Sequence, residues 1–159
     1  MTIQVGERLP ALTLKTMGAE GPEEVHTDAL LQGKKVVLFA VPGAFTPGCS
    51  NTHMPGFVVK ADEILAAGVD HIICTSVNDA FVMGAWQKSQ NAEHIFMLAD
   101  GSAELAQALG LELDATSRGM GVRSRRYAMI IQDGVVEYLG VDEKGIDQSS
   151  AETILQHLK

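Results

Sequence analysis

The sequence predicts an α/β domain with a central mixed sheet, helices on both faces of that sheet, and a C-terminal β-hairpin followed by a helix. Short apolar runs alternate with helix-like stretches in the first part of the chain, which is typical of parallel βαβ units. Near the C-terminus an Asp-Gly pair lies between two apolar runs, which indicates a hairpin. The 159 residues, 46% of them hydrophobic and 20% charged, are expected to form a single domain over residues 1–159.

Three short apolar runs are predicted to be buried strands: residues 35–41, 69–77 and 95–99. A helix-like stretch follows each of them: residues 47–67, 79–90 and 102–109. Because a helix separates each strand from the next, these strands are expected to be parallel neighbours with helices covering the sheet.

The C-terminal part predicts two antiparallel strands, residues 127–131 and 135–139, joined by Gln132-Asp133-Gly134. The segment Ser149-Ser150-Ala151-Glu152 has the spacing of a capping box and is expected to open the last helix. This order of elements is typical of a three-layer domain of the thioredoxin-like type.

Charge and hydropathy exclude several classes of protein. The chain has 12 Lys and Arg against 20 Asp and Glu, a net charge of −8, so we expect neither a nucleic-acid nor an anionic-membrane partner. No apolar window is long enough to span a membrane, and the first residues lack the pattern of a secretion signal. The sequence thus predicts a soluble, cytoplasmic protein, in which Cys49 and Cys74 are free thiols rather than a disulfide framework.

The turn after the first predicted strand places Cys49 at the start of a helix. Thr46 suits the N-cap and Pro47 the first helical position, so Cys49 is expected in the first turn. Amides in that turn have no intrahelical partner, and the helix dipole is positive there. Both effects stabilise the thiolate form of Cys49 and so raise the reactivity of this cysteine. The turn also lies at the carboxyl edge of the sheet, where α/β proteins usually have their sites.

Two other motifs match part of this turn. Residues 43–48 have the GxxxxG spacing of a phosphate-binding loop, but Cys49 stands where the lysine is needed, and two prolines remove amides. A dithiol reductase needs a second cysteine in a CxxC motif, and Thr46 and Thr52 occupy both possible positions. Both interpretations are rejected.

A zinc site formed by two Cys/His pairs is also rejected, so no metal ion is expected. Cys49 and His53 share a helix face, but His71 and Cys74 are separated by an odd offset in a predicted strand and point to opposite faces. His53 keeps two interpretations: it orients the site, or it simply packs beside Cys49.

Four of the five arginines cluster in one short segment: Arg118, Arg123, Arg125 and Arg126. The segment is either a solvated loop or a site where one arginine reaches the thiolate while others attract anions. Arg126 directly precedes a predicted strand that can hold it, whereas Arg118 lies near Gly119 and Gly121. Arg126 is therefore the better candidate for a fixed donor.

The motif Pro42-x3-Thr46-x2-Cys49 matches the PxxxTxxC signature of peroxiredoxins. Together with the runs VPGAFTPGCSNTHMPGF, SVNDAFVMGAW and RSRRYAMIIQDG, it makes nearly the whole chain resemble the peroxiredoxin 5 (type II) subfamily. The resemblance implies a thioredoxin fold and a thiol peroxidase that reduces hydrogen peroxide and alkyl hydroperoxides without metal or organic cofactor.

The resemblance also implies a role for each matching residue. Cys49 is the peroxidatic cysteine, whose thiolate attacks the peroxide and becomes a sulfenic acid. Thr46 hydrogen-bonds the peroxide, and Pro42 shields the site from water. Arg126 holds the thiolate and the polarised peroxide, which fits the need for fixed donors near developing negative charge.

This chain differs from some members of the subfamily in its resolving cysteine. The segment 145–150, where some members carry it, contains none, so Cys74 is the remaining candidate, 25 residues after Cys49. Relatives with that spacing typically take electrons from glutathione with glutaredoxin, or from thioredoxin. Because Cys74 is expected to be buried in mid-strand, we predict that it is not an obligatory resolving residue and that an external thiol resolves Cys49.

The subfamily resemblance further implies a homodimer packed around the active-site turn, to which Phe45, Phe81 and Met120 contribute unless they belong to the core. Two other functions stay open at this point. One is a peroxide-sensing redox switch or chaperone-like interaction protein that uses Cys49. The other is a glutathione-dependent transferase on the same fold.

Overall fold

The computed structural model describes residues 2–158. The strands are β1 (Thr13–Gly18), β2 (Gly21–His26), β3 (Lys35–Ala40), β4 (His71–Ser76), β5 (Ile95–Ala99), β6 (Glu112–Asp114), β7 (Val122–Ser124), β8 (Arg126–Gln132) and β9 (Val135–Asp142). The α-helices are α1 (Thr27–Leu31), α2 (Met54–Ala66), α3 (Ala80–Ser89), α4 (Glu104–Leu109) and α5 (Ala151–Leu158). A π-helical turn, Cys49–His53, leads into α2, and a short 3₁₀ turn covers Thr116–Arg118. None of the helices within 2–158 has both the length and the apolar character needed to cross a bilayer.

A seven-stranded mixed sheet forms the centre of the molecule, with the order β2-β1-β5-β4-β3-β8-β9. Strands β3, β4 and β5 are parallel, as predicted, and β8 pairs antiparallel to β3 on one side. On the other side β1 pairs antiparallel to β5. Strands β6 and β7 form a separate two-stranded sheet. The predicted mixed sheet and C-terminal hairpin are confirmed.

Helices cover both faces of the sheet because successive side chains of each central strand point to opposite sides. In β3, Val37 and Phe39 pack under α2, α3 and α5, whereas Val36 and Leu38 pack with residues of α1 and α4. All four side chains are almost fully buried. The three-layer arrangement thus follows from one continuous apolar run that is buried on both faces.

The N-terminal hairpin β1–β2 and the helix α1 have no counterpart in the sequence prediction. β2 is an edge strand whose residues Pro22, Glu23 and Glu24 are exposed, so it lacks the apolar alternation that marks a half-buried strand. α1 is five residues long, too short to show a helical period.

The helix that carries Cys49 contains one irregular turn near its start. Helical structure begins at Pro47 and continues to Ala66, as the prediction of residues 47–67 requires. A proline in a helix interior kinks the helix, but Pro55 lies in the first turn of α2. The irregular turn is Cys49–His53 itself, closed by the amide of Met54 donating to the Cys49 carbonyl. Such single π turns recur at functional sites.

Of two local predictions, the turn of the β8–β9 hairpin is confirmed and the capping box of α5 is wrong. The β8–β9 hairpin turns at Asp133 and Gly134, whose φ angles of 49° and 80° suit a two-residue turn, and Gln132 belongs to β8. At α5 the predicted capping box is wrong. Ser150 caps the helix, with its Oγ accepting from the Thr153 amide at 3.1 Å, because the Ser149 hydroxyl donates to Asp142 instead.

Candidate active site

The turn between β3 and the helix is stabilised by Thr46. Its carbonyl accepts from the Ser50 amide at 2.9 Å, as the carbonyl of an N-cap residue does. Its hydroxyl donates to the Gly43 carbonyl at 2.6 Å rather than capping the helix. Because the hydroxyl proton is used in this way, the Thr46 oxygen is left as an acceptor for a ligand O–H.

The sulfur of Cys49 lies against a guanidinium group. Nη2 of Arg126 is 3.3 Å from Sγ of Cys49, and the cysteine itself is 0% exposed. Arg126 is the first residue of β8, so the sheet holds its backbone. Gly48 allows the close approach, because a Cβ there would lie 3.3 Å from Nη2 of Arg126. The predicted donor and the predicted nucleophile are thus in direct contact.

His53 lies at the end of the π turn and contacts the same guanidinium. Its Nδ1 is 2.8 Å from Nη1 of Arg126, and its Nε2 is 2.8 Å from the Ser149 carbonyl. Arginine only donates, so Nδ1 accepts and the ring proton is on Nε2. Burial lowers the pKa of His53 to about 4, and the charge of Arg126 acts in the same direction against the Ser149 hydrogen bond. The histidine is therefore neutral at physiological pH.

The His53 ring also packs against aromatic side chains, with centroid distances of 5.1 Å to Phe39 and 5.6 Å to Phe57. Of the two interpretations left open for this residue, the structure shows the packing, and the contact with Arg126 leaves the orienting role as a prediction. Sequence reasoning missed the partner of its Nε2, because that partner is a backbone carbonyl 96 positions away in the chain.

A carboxylate stabilises the segment that contains Ser149. Asp142, at the end of β9, accepts from the amides of Asp147, Gln148 and Ser149 and from the Ser149 hydroxyl. Burial raises the pKa of Asp142, but the hydrogen bonds from Ser149, Asp147 and Gln148 together outweigh it, so the pKa lies below its ordinary value. No local sequence pattern signals this contact.

The four clustered arginines separate into different roles. Arg123 supports the fold: its Nε donates to the Met120 carbonyl at 2.8 Å and its Nη1 to the Val77 carbonyl at 3.2 Å. Arg125 forms an exposed ion pair with Glu143 at 3.9 Å. Such a pair contributes little to stability. Only Arg126 contacts Cys49, whereas Arg118 is exposed.

A cavity of about 580 Å³ opens beside the site. Pro42, Gly48 and Arg126 line it on the side of Cys49. Its wall also includes three further cationic side chains, Arg118, Arg125 and Lys144, and two carboxylates, Asp142 and Glu143. Pro42 is therefore at the position from which it can limit the access of water. Cationic side chains outnumber carboxylates in the wall, which suits an anionic ligand.

Cys74 lies away from this opening. It is fully buried in β4, where it pairs with Phe39 of β3, so its predicted burial in a strand is confirmed. Burial raises the pKa of the Cys74 thiol well above its ordinary value, and Cys49 adds to the effect. Both cysteines are free thiols.

The chemistry of a metal site does not fit these residues. Both ring nitrogens of His53 are engaged with Arg126 and Ser149. Throughout residues 2–158, no three His, Cys, Asp or Glu side chains are grouped so that they could hold an ion.

Comparison with known proteins decides the family. A family model described as Redoxin matches residues 4–155. Peroxiredoxin-2E-2, a chloroplastic protein of Oryza sativa, is 51% identical over 99% of this chain and 73% of its own length. The chain belongs to the peroxiredoxins. Peroxiredoxin-2D of Arabidopsis thaliana is 46% identical, and the match covers 98% of each chain.

A solved peroxiredoxin structure agrees with this assignment. Reduced Prx3 of Vibrio vulnificus in complex with H2O2 superposes with a TM-score of 0.96 at 54% identity, over 99% of this chain and 100% of the other. The predicted thioredoxin-like fold and the resemblance to the type II, or peroxiredoxin 5, kind are therefore confirmed. The protein is a peroxidase of the thiol-dependent class.

Proposed function

We propose that this peroxiredoxin reduces hydrogen peroxide and alkyl hydroperoxides through the thiolate of Cys49. The observation that carries the proposal is the 3.3 Å contact from Arg126 Nη2 to Cys49 Sγ at the start of a helix. A cationic donor and the unpaired amides of a helix start both favour an anionic sulfur, which is the nucleophilic form.

The thiolate attacks the terminal oxygen of the peroxide. A sulfur–oxygen bond forms as the oxygen–oxygen bond breaks, so Cys49 becomes a sulfenic acid and the departing oxygen leaves as water or an alcohol after taking up a proton. Arg126 stabilises the negative charge that moves from sulfur to the departing oxygen. Thr46, with its hydroxyl proton committed to Gly43, accepts the peroxide O–H and orients it.

Pro42 lines the entrance on the side of the sulfur, and we assign it the role of limiting water. A drier site strengthens the attraction between Arg126 and the reacting oxygens, because the local dielectric is lower.

The sulfenic acid is recycled by an external thiol, for which glutathione with glutaredoxin, or thioredoxin, is proposed. A first thiol displaces water from the sulfenic sulfur and forms a mixed disulfide, and a second thiol releases Cys49 as a thiolate. The excess of cationic side chains over carboxylates in the cavity wall, with Arg118 and Lys144 outside the Arg125–Glu143 ion pair, supports glutathione, which carries carboxylates. Recycling by such thiols also supports a reducing, cytoplasmic compartment.

A homodimer that packs around the active-site turn is part of the proposal. Phe45 is 55% exposed and has a φ of 66°, a strained conformation for an aromatic residue. Phe81 and Val122 are exposed to 64% and 41%, and Met120 is partly buried. Exposed aromatic side chains beside a functional turn suit burial against a second copy of the chain.

The alternative function, a peroxide-sensing switch or chaperone-like interaction protein, needs a partner for Cys49 rather than a reductant. Repeated turnover of peroxide distinguishes the peroxidase from the switch. Peroxide consumption is measured over many cycles with glutathione, with glutathione plus glutaredoxin, and with thioredoxin, on the wild type, Cys49→Ser and Cys74→Ser. Repeated turnover of the wild type and Cys74→Ser supports the peroxidase, whereas a single oxidation with every reductant supports the switch.

A further inference from the structure

The end of β9 builds a rigid acceptor beside the active site. Asp142 pairs with Arg126 across the β8–β9 ladder, so the two residues are neighbours by register. The chain then folds back, and the carboxylate of Asp142 accepts from the Ser149 amide at 2.9 Å and from the Ser149 hydroxyl at 2.7 Å. Four donors on one carboxylate fix the position of the Ser149 carbonyl.

The Ser149 carbonyl determines the orientation of the His53 ring. Nε2 of His53 donates to it at 2.8 Å, which leaves Nδ1 as an acceptor directed at Nη1 of Arg126, also at 2.8 Å. The guanidinium therefore uses one terminal nitrogen for His53 and the other for Cys49. With Nη1 fixed, rotation of the guanidinium away from the sulfur requires breaking a buried hydrogen bond.

We propose that His53, fixed by the Asp142-bound carbonyl of Ser149, is a positioning residue that holds Arg126 against Cys49. This role rests on the proposed function of Arg126 as the donor to the thiolate. The chain of contacts runs from Asp142 through Ser149, His53 and Arg126 to the sulfur.

A neutral imidazole suits this role better than a carboxylate would. A carboxylate on Nη1 would neutralise the guanidinium and repel the neighbouring thiolate. Within residues 2–158, no carboxylate oxygen lies within 4.0 Å of the Arg126 nitrogens. The charged groups that face His53 are Arg126 from β8 and Asp142 from β9. Burial keeps the pKa of His53 near 4, so the acceptor is preserved at physiological pH.

The test compares His53→Phe with His53→Asn. Phenylalanine keeps the packing against Phe39 and Phe57 but removes both hydrogen bonds, whereas the asparagine oxygen can replace Nδ1 as the acceptor for Arg126. His94→Phe, at an exposed position, is the matched control. Ser149→Ala removes one of the four donors to Asp142 and leaves the carbonyl in place.

Two quantities are measured on folded protein: the second-order rate constant for oxidation of Cys49 by hydrogen peroxide, and the pH midpoint for alkylation of Cys49 by iodoacetamide. In His53→Phe we expect the rate constant to fall by about 10-fold to 100-fold, since a misplacement of ~1 Å costs up to ~10² in rate. The alkylation midpoint should move to higher pH. His53→Asn should recover most of both losses, Ser149→Ala should lose a few-fold in rate at most, and His94→Phe should match the wild type.

A folded His53→Phe protein with the wild-type rate constant and midpoint overturns the proposal. So does an equal loss in His53→Asn and His53→Phe, because a purely structural role would not distinguish the two. Failure of the proposed function gives a different result: the wild type then shows no peroxide oxidation, while the alkylation midpoint still responds to His53→Phe. If His53→Phe does not fold, His53→Leu, which also removes both hydrogen bonds, replaces it in the comparison. A wild-type midpoint in His53→Leu overturns the proposal, and a shift to higher pH that His53→Asn recovers supports it.

Discussion

Nη2 of Arg126 donates to Sγ of Cys49 at 3.3 Å, although the two residues are 77 positions apart in the chain. The sheet register explains the contact. Ala40 of β3 pairs with Tyr127 of β8, so Arg126 is located where β3 ends and the turn to Cys49 begins. A rigid strand thus brings a permanent cation to a helix start that already favours an anion.

The first prediction concerns Arg126. Arg126→Ala should slow the oxidation of Cys49 by hydrogen peroxide by about 10²–10³, the usual effect of removing one preorganised donor. The measurement is the second-order rate constant from rapid mixing. Arg118→Ala is the control, because Arg118 shares the cavity wall but makes no contact with the sulfur. Equal losses in the two variants would contradict a specific role for Arg126.

The second prediction concerns the space that lets the guanidinium approach. Gly48→Ala places a Cβ at 3.3 Å from Nη2 of Arg126, so the guanidinium must shift and the rate constant should fall by on the order of 10-fold. Gly56→Ala is the matched control, since a Cβ there meets nothing within 4 Å and alanine favours the helix by up to ~1 kcal/mol. That control should be at least as stable as the wild type and equally fast. A wild-type rate in Gly48→Ala would mean that the contact tolerates displacement.

The third prediction is a dependence of stability on pH that comes from His53. Its pKa is about 4 in the folded protein against 6.5 for the ordinary side chain, so below pH 6.5 the unfolded chain binds a proton that the folded protein does not. The free energy of unfolding should therefore decrease as the pH falls from about 6.5 to about 4, by at most about 1.4 kcal/mol per pH unit.

Urea unfolding of the wild type and His53→Asn at several pH values measures this contribution. The difference between the two curves removes the contributions of the carboxyls whose pKa values are also shifted, Asp100, Asp114 and Asp142. The free energy of unfolding of the wild type minus that of His53→Asn should decrease as the pH falls from about 6.5 to about 4. Parallel curves would show that His53 does not titrate on unfolding as predicted.

The fourth prediction is that Cys74 does not resolve the sulfenic acid. A thiol that is fully buried, with a raised pKa, attacks slowly. Peroxide-treated wild type mixed with glutathione should give a glutathione adduct on Cys49 by mass spectrometry, and Cys74→Ser and Cys74→Ala should give the same adduct. A stoichiometric Cys49–Cys74 disulfide in the wild type, lost together with turnover in Cys74→Ala, would refute the prediction.

The features that the sequence predicts correctly depend on local chemistry. Asp133-Gly134 predicts its hairpin because few residues adopt two successive positive φ angles. Pro47 predicts the start of the helix because its fixed φ and missing N–H suit the first helical position. The placement of Arg126 also followed locally, from its position directly before an apolar run.

The features that it misses depend on register and on distant partners. Whether Ser149 or Ser150 caps α5 is decided by Asp142, which reaches Ser149 only because β9 ends beside it. The link from His53 to Ser149 joins residues 96 positions apart, and no periodic pattern encodes it. The edge strand β2 was missed because its exposed charged residues remove the apolar alternation.

The fifth prediction carries the central claim, that Cys49 is the nucleophile that attacks peroxide. One equivalent of hydrogen peroxide is added to the reduced protein, and the sulfenic acid is trapped with dimedone and located by mass spectrometry. The wild type and Cys74→Ser should carry the adduct on Cys49 alone. Cys49→Ser should lack rapid peroxide consumption. Rapid peroxide reduction by Cys49→Ser, or an adduct on Cys74 in the wild type, would contradict the assignment.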